Sequence, residues 1–218
     1  MSFSRELERI RAIPRRLAPL PLAEVRAKVY RFTGTEADTP MTLWPLQEQA
    51  LAEALEARGL FAPLAVGMGK TLIAALIPTV LDAHRAVILT SAGLVVQAKT
   101  MMEQYRKSFD IRKDIHWLSY GLLSSSKSST ILEKINPTLI ISDEAQNLAS
   151  GSSARVKRFI RYMKAHPETL FCAMSGSITK RSLRDYEHLL RLALKTRSPL
   201  PRPPAEPARS RPAARHRT

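Results

Sequence analysis

Ala62-Pro63-Leu64-Ala65-Val66-Gly67-Met68-Gly69-Lys70-Thr71 leads directly into an apolar, helix-compatible run from Leu72 to Ala83. A short strand candidate, Phe61–Val66, thus enters a glycine-rich turn and leaves it through Lys-Thr into a helix. That order is what a phosphate cradle requires. Glycines accept positive φ and let backbone N–H groups close around phosphates, and the helix N-terminus adds its dipole. In such a cradle Gly67, Met68 and Gly69 form the wall, Lys70 reaches the β/γ-phosphates, and the Thr71 hydroxyl holds Mg²⁺. The stretch departs from G-x-x-x-x-G-K-[ST] at its first position, where Leu64 stands. The turn alone therefore does not decide the chemistry, and a second motif is needed.

The second motif is Thr138-Leu139-Ile140-Ile141-Ser142 running into Asp143-Glu144-Ala145-Gln146. An apolar strand ending in two carboxylates is the other half of an ATP site. The first carboxylate, Asp143, can orient Mg²⁺ and its waters. The second, Glu144, can position or deprotonate the attacking water. Adjacent side chains at a strand end point in different directions, so each can take its own task. The same dipeptide can also serve merely as a helix N-cap.

Around these two motifs runs a regular alternation. Apolar strand candidates are Phe61–Val66, Ala86–Thr90, Ile115–Ser119, Thr138–Ser142 and Leu170–Met174. Amphipathic helix candidates lie between and after them: Leu94–Phe109, Ser153–Ala165 and Ser182–Lys195, with Thr42–Ala57 ahead of the first strand. The expected fold class is α/β: a mostly parallel sheet with helices on both faces, a three-layer α/β/α lobe. Ligands bind such sheets at the carboxyl ends of strands, where both motifs fall. Ser124–Ser129 reads as a polar, loop-like insertion.

The chain has 218 residues and is 44% hydrophobic, enough for one sizeable domain with flanks. Three segments are expected: a 1–40 N-terminal extension, a 41–195 ATP-binding lobe, and a basic 196–218 tail. The extension holds two helix candidates, Ser4–Ile13 and Leu22–Tyr30. The tail has six prolines, six arginines and one glutamate, and is expected to be disordered. Lys and Arg number 34 against 19 Asp and Glu, a formal charge of +15, which favours a polyanionic partner, nucleic acid first. The single cysteine, Cys172, lies in an apolar run and reads as core, which fits a reducing cytoplasm. No apolar stretch is long enough for a membrane-spanning helix, and the histidines show no metal-binding spacing.

Taken together, GMGKT and DEAQ resemble the first RecA-like lobe of superfamily-two helicases and translocases, particularly the Swi/Snf-type and related phage or bacterial enzymes. Four further stretches agree, in the correct order. Leu43-Trp44-Pro45-Leu46-Gln47 resembles the segment whose Gln reads adenine, which assigns that role to Gln47. Ile88–Gln97 resembles the segment lying along the nucleic-acid strand. Trp117-Leu118-Ser119-Tyr120 resembles the segment before the acidic box. Ser175-Gly176-Ser177 resembles the motif that couples nucleotide state to nucleic-acid grip. The resemblance implies ATP and Mg²⁺ as cofactors, nucleic acid as partner (DNA ahead of RNA), no membrane, and a bacterial or phage-infected cytoplasm. It casts Lys70, Asp143, Glu144 and Gln146 as catalytic. Gln146 replaces the family's His and keeps a hydrogen-bonding group. Ser177 replaces its Thr, and Ile178-Thr179 its Pro.

The family also uses a second RecA-like lobe that brings arginine fingers, and no second strand–helix series is visible in this sequence. A finger is worth about 10³–10⁵ in rate, so this chain alone is expected to hydrolyse ATP slowly or not at all. Three readings stay open: a motor lobe that works with a second lobe, a lone lobe kept as an ATP-sensing or DNA-binding adaptor, and a P-loop ATPase unrelated to nucleic acid, against which the basic charge and the ordered segments count. Arg155, Lys157, Arg158, Arg161 and Lys164 crowd one side of a helix candidate. They read equally as a phosphate track, with Arg155, Arg158 and Arg161 as contacts, or as an ordinary solvated face. Trp44 is expected near adenine and Trp117 in the core.

Overall fold

In the computed structural model the residues described are 3–13, 19–31, 41–149, 153–176 and 183–200. Five strands, β1 (Leu60–Pro63), β2 (Ala86–Thr90), β3 (Ile115–Ser119), β4 (Leu139–Asp143) and β5 (Leu170–Ser175), form one sheet in the order β1-β5-β4-β2-β3. Every neighbouring pair is parallel. β2, β4 and β5 are buried along their whole length, which is why they read as unbroken apolar runs rather than as alternation. β1 was expected to reach Val66 but ends at Pro63, with one further bond from the Leu64 N–H to the Ser175 carbonyl at 3.1 Å.

The two-residue period of the strands divides the core into halves. Ile88, Ile141 and Cys172 face one layer of helices, and Val87, Leu89, Ile140 and Phe171 face the other. The first layer holds α2 (Leu22–Val29), α3 (Pro45–Ala57), α4 (Lys70–Val80) and α5 (Ala92–Tyr105). The second holds α6 (Tyr120–Ser124), α7 (Ile131–Ile135), α8 (Ala154–Ala165) and α9 (Glu187–Leu194). This is the three-layer α/β/α architecture expected. Cys172 is fully buried in β5, and burial pushes its thiol up to about 12. Trp117 is half-buried against the first half of the core. No helix among the described residues is long and apolar enough to cross a membrane.

Three features sharpen the sequence expectation. First, α2 of the N-terminal extension packs on the lobe. Val25 and Val29 are fully buried against α3 and α4, and Arg26 grips Glu48 with two hydrogen bonds of 2.7 Å. That cover explains why α4 is buried on all sides. Second, the polar stretch 124–129 is flanked by the short helices α6 and α7, too brief to leave a periodic signature. Third, the body continues to Leu200, past the boundary placed at 195. Arg9 of α1 (Phe3–Ala12) donates to the carbonyls of Thr196, Ser198 and Leu200 at 2.7, 2.9 and 3.0 Å, and Ser198 is buried. Residues 201–218 lie outside those described.

Candidate functional site

The site is built at the carboxyl ends of β1 and β4, which β5 separates. Gly67 and Gly69 have φ of 89° and 72°, the left-handed region that side-chain-bearing residues avoid. A Cβ on Gly69 would lie 2.2 Å from Gln47 Nε2. The backbone thus favours glycine there, and any larger residue would also make the Gln47 amide shift. Gly69 is also the N-cap of α4, and no side chain caps that end. The first N–H groups of the helix are therefore available to an anion. Lys70 and Thr71 occupy the first turn, two residues earlier than the helix was expected to start.

Lys70 is buried, 9% exposed, and its Nζ lies 3.5 Å from Glu144 Oε1 and 3.4 Å from the carbonyls of Leu64 and Ala65. The ammonium thus joins the glycine loop to the acidic strand end. Glu144 itself has φ 70°, a left-handed conformation that turns the chain sharply after Asp143 and sends the two carboxylates apart. Asp143 is 3% exposed. Burial first, then the charge of Glu144, push its carboxyl up to about 6, against the opposing pull of Lys70. Its Oδ2 accepts from Thr90 Oγ1 at 3.4 Å, whereas its Oδ1 is buried with no hydrogen-bond partner. A buried carboxylate oxygen without a donor is the kind of group a divalent cation satisfies, so Asp143 fits a Mg²⁺ ligand.

A second network ties the acidic end to β5 and β3. Gln146 Nε2 donates to Glu144 Oε2 at 2.7 Å, and Ser175 Oγ donates to Gln146 Oε1 at 2.6 Å. Gly176 follows, and a Cβ there would sit 3.2 Å from the Leu64 carbonyl, so this turn packs against the chain entering the glycine loop. Ser177 lies outside the described residues. From the other side Tyr120, at the start of α6, is 4% exposed. Its hydroxyl lies 2.7 Å from Ser142 Oγ and from the Asp143 carbonyl, and 3.3 Å from the Glu144 carbonyl. Burial raises the Tyr120 hydroxyl well above the usual tyrosine range, so it stays a neutral donor. The sequence marked Tyr120 only as part of a resembling segment; its bonds to the acidic turn depend on β3 and β4 flanking β2, which no local pattern reveals.

Gln47 is buried at the start of α3. Its Oε1 accepts from the Trp44 N–H at 2.9 Å, and its Nε2 reaches the Met68 carbonyl at 3.4 Å. It therefore braces the glycine loop, with Trp44, 54% exposed, beside it. The segment 88–97 spans the end of β2 and the start of α5, where Val96 is 73% exposed.

Two arginines on the basic side of α8 reach neighbouring segments of the lobe. Arg158 donates to the carbonyls of Leu123 and Ser125 at 2.7 and 2.6 Å. Arg161 pairs with Glu133 Oε1 at 2.6 Å and donates to the Ser129 carbonyl at 2.9 Å. Both hold the α6–α7 segment to α8. Arg155 differs: its Nε is buried without a partner, and its charge acts on Tyr120.

No family model matches the chain, and no curated protein does. Among solved structures, the UvsW helicase from bacteriophage T4 matches with a TM-score of 0.55 at 16% identity, over 75% of this chain and 62% of the phage chain. At that identity the likeness concerns the fold: the chain folds as a RecA-like α/β lobe of the kind found in that helicase.

Proposed function

We propose that this chain is the ATP-binding motor lobe of a nucleic-acid helicase or translocase, DNA ahead of RNA, whose full turnover requires a second RecA-like lobe. One observation carries the reading: Lys70 Nζ, rising from the glycine loop, stands 3.5 Å from Glu144 Oε1 on the acidic strand end. A phosphate-binding cation and a carboxylate base stand within ion-pair distance of each other.

In this reading the glycine loop and the first N–H groups of α4 bind the β- and γ-phosphates, and Lys70 moves from Glu144 to the phosphate oxygens. That exchange frees Glu144 to accept a proton from the attacking water. Thr71 and Asp143 would hold Mg²⁺, which when bound supplies charge neutralisation along the phosphates. Gln146 holds Glu144 in place and, through Ser175, carries the state of the site to the end of β5. Gln47 and Trp44 flank the adenine side. The basic composition supports a polyanionic partner.

ATP binding and turnover, measured with and without single- and double-stranded DNA, test the reading against Lys70→Ala. DNA-stimulated turnover abolished by the substitution is the expected result once a second lobe is supplied. ATP binding with no turnover under any of these conditions would favour the lone-lobe adaptor. Absence of ATP binding would overturn both.

A further inference from the structure

α8 and α9 lie side by side on the outside of the second layer and leave a trough between them. A hollow of about 710 Å³ has Val156, Ile160, Met163 and Leu192 as its floor. It continues through Met163 and Leu192 into a second hollow of about 520 Å³ that ends at Leu200. Ile160 and Leu192 are only half-buried, so the floor offers apolar surface to a partner. Every charged residue lining either hollow is cationic: Arg9, Lys157, Arg161, Lys164, Arg191 and Lys195. Arg161 is neutralised by Glu133 and Arg191 by Glu187. Lys157 and Lys164, both exposed on the rim, have no ion-pair partner among the described residues.

We propose that this trough docks an acidic, amphipathic helical segment of a partner protein. An apolar floor beneath a rim of one charge sign is complementary to a helix with apolar anchors at i, i+3/i+4 and i+7 and carboxylates on its flanks. The 12 residues of α8 give a trough roughly 18 Å long, the length of about three helical turns. Bare nucleic acid would meet the cations but gain nothing from the floor. The chain's own continuation is of the wrong sign: residues 201–218 carry five arginines and one glutamate. None of the residues assigned to the nucleotide lines either hollow, so the inference does not depend on nucleotide chemistry.

The test uses the full chain and a fluorescein-labelled helical peptide of about 15 residues, with leucines on one face and glutamates on the other. Fluorescence anisotropy is read at about 0.15 M salt. The expected result is micromolar binding that weakens at least about tenfold in Lys157→Glu/Lys164→Glu and in Leu192→Ser, with unchanged unfolding midpoints. It must also weaken at least about tenfold when the peptide's leucines become serines. The proposal is overturned if the parent peptide does not bind. It is equally overturned if the serine peptide, or an oligothymidylate competing for the same two lysines, binds as tightly as the parent.

Discussion

Ser175, the last residue of β5, donates its hydroxyl to Gln146 at 2.6 Å, and Gln146 in turn holds Glu144 at 2.7 Å. Two strand ends are thereby joined through one amide. If this relay orients the base, Ser175→Ala and Gln146→Ala will each lower ATP turnover by about tenfold or more while leaving the ATP dissociation constant within about twofold. The double variant will be no worse than the weaker single one, because both break one chain of bonds. Steady-state kinetics with equilibrium ATP binding decide this; fully additive losses would show that the two act separately.

Gly69 combines φ 72° with a Cβ position 2.2 Å from Gln47 Nε2. Gly69→Ala will cost about 1–2 kcal/mol of stability from the backbone alone, and more from the collision. Adding Gln47→Ala removes the collision but not the backbone strain, so the double variant will recover part of the loss. Denaturant unfolding of the three proteins separates the two components.

Asp143 gives a pH signature. Its carboxyl sits at about 6 in the folded chain, above the ordinary value of about 3.9. The folded state therefore binds the proton more tightly than the unfolded state, and this group's contribution to stability falls as pH rises from about 4 to about 6. Asp143→Asn will be more stable than the parent at pH 7–8 by about 1–3 kcal/mol, with no difference below about pH 4. Thermal unfolding across that range reads the effect. Mg²⁺ affinity will move the opposite way in the parent, weakening as pH drops through about 6, because the cation needs the ionised form.

Tyr120→Phe removes the hydroxyl that meets Ser142 and the carbonyls of Asp143 and Glu144. The buried groups left behind will cost about 1–3 kcal/mol. The freed Glu144 turn will also lower turnover at saturating ATP with little change in nucleotide affinity. A stability loss with unaltered turnover would show that the tyrosine only packs.

Arg158→Ala will destabilise the chain by about 1–3 kcal/mol, because it strips two carbonyls of a charged donor. It will leave the salt dependence of DNA binding unchanged. A drop of about one in the slope of log affinity against log salt would instead mark Arg158 as a phosphate contact.

Much of the fold was legible because buried parallel strands leave an unmistakable record. β2, β4 and β5 have no solvent face, so their apolar runs, β-branched in β2 and β4, are uninterrupted. The glycine loop was legible because positive φ and close approach leave little choice of residue. What stayed hidden depends on pieces far apart in sequence. Nothing local shows that β5 inserts between β1 and β4, or that Arg158 turns inward to carbonyls some thirty residues away. α6 and α7 are five residues each, shorter than two helical turns, and no 3.6-residue rhythm can establish itself. The sequence places α2 in an N-terminal extension, and no local pattern shows that Val25 and Val29 bury against α3 and α4.

The clasp of Arg9 on Thr196, Ser198 and Leu200 sets where any further polypeptide departs. Leu200 lines the same hollow as Thr169, which precedes the first residue of β5, at the opposite end of that strand from Ser175. The six residues of β5 span about 20 Å. A tethered module joined after Leu200 would need about six or more extended residues of leash merely to round the body before touching the nucleotide. A lobe fused there by a shorter tether would reach only the far rim. Trimming the chain at 195 instead would cut the strap that Arg9 holds, and the tether would start from a loosened end.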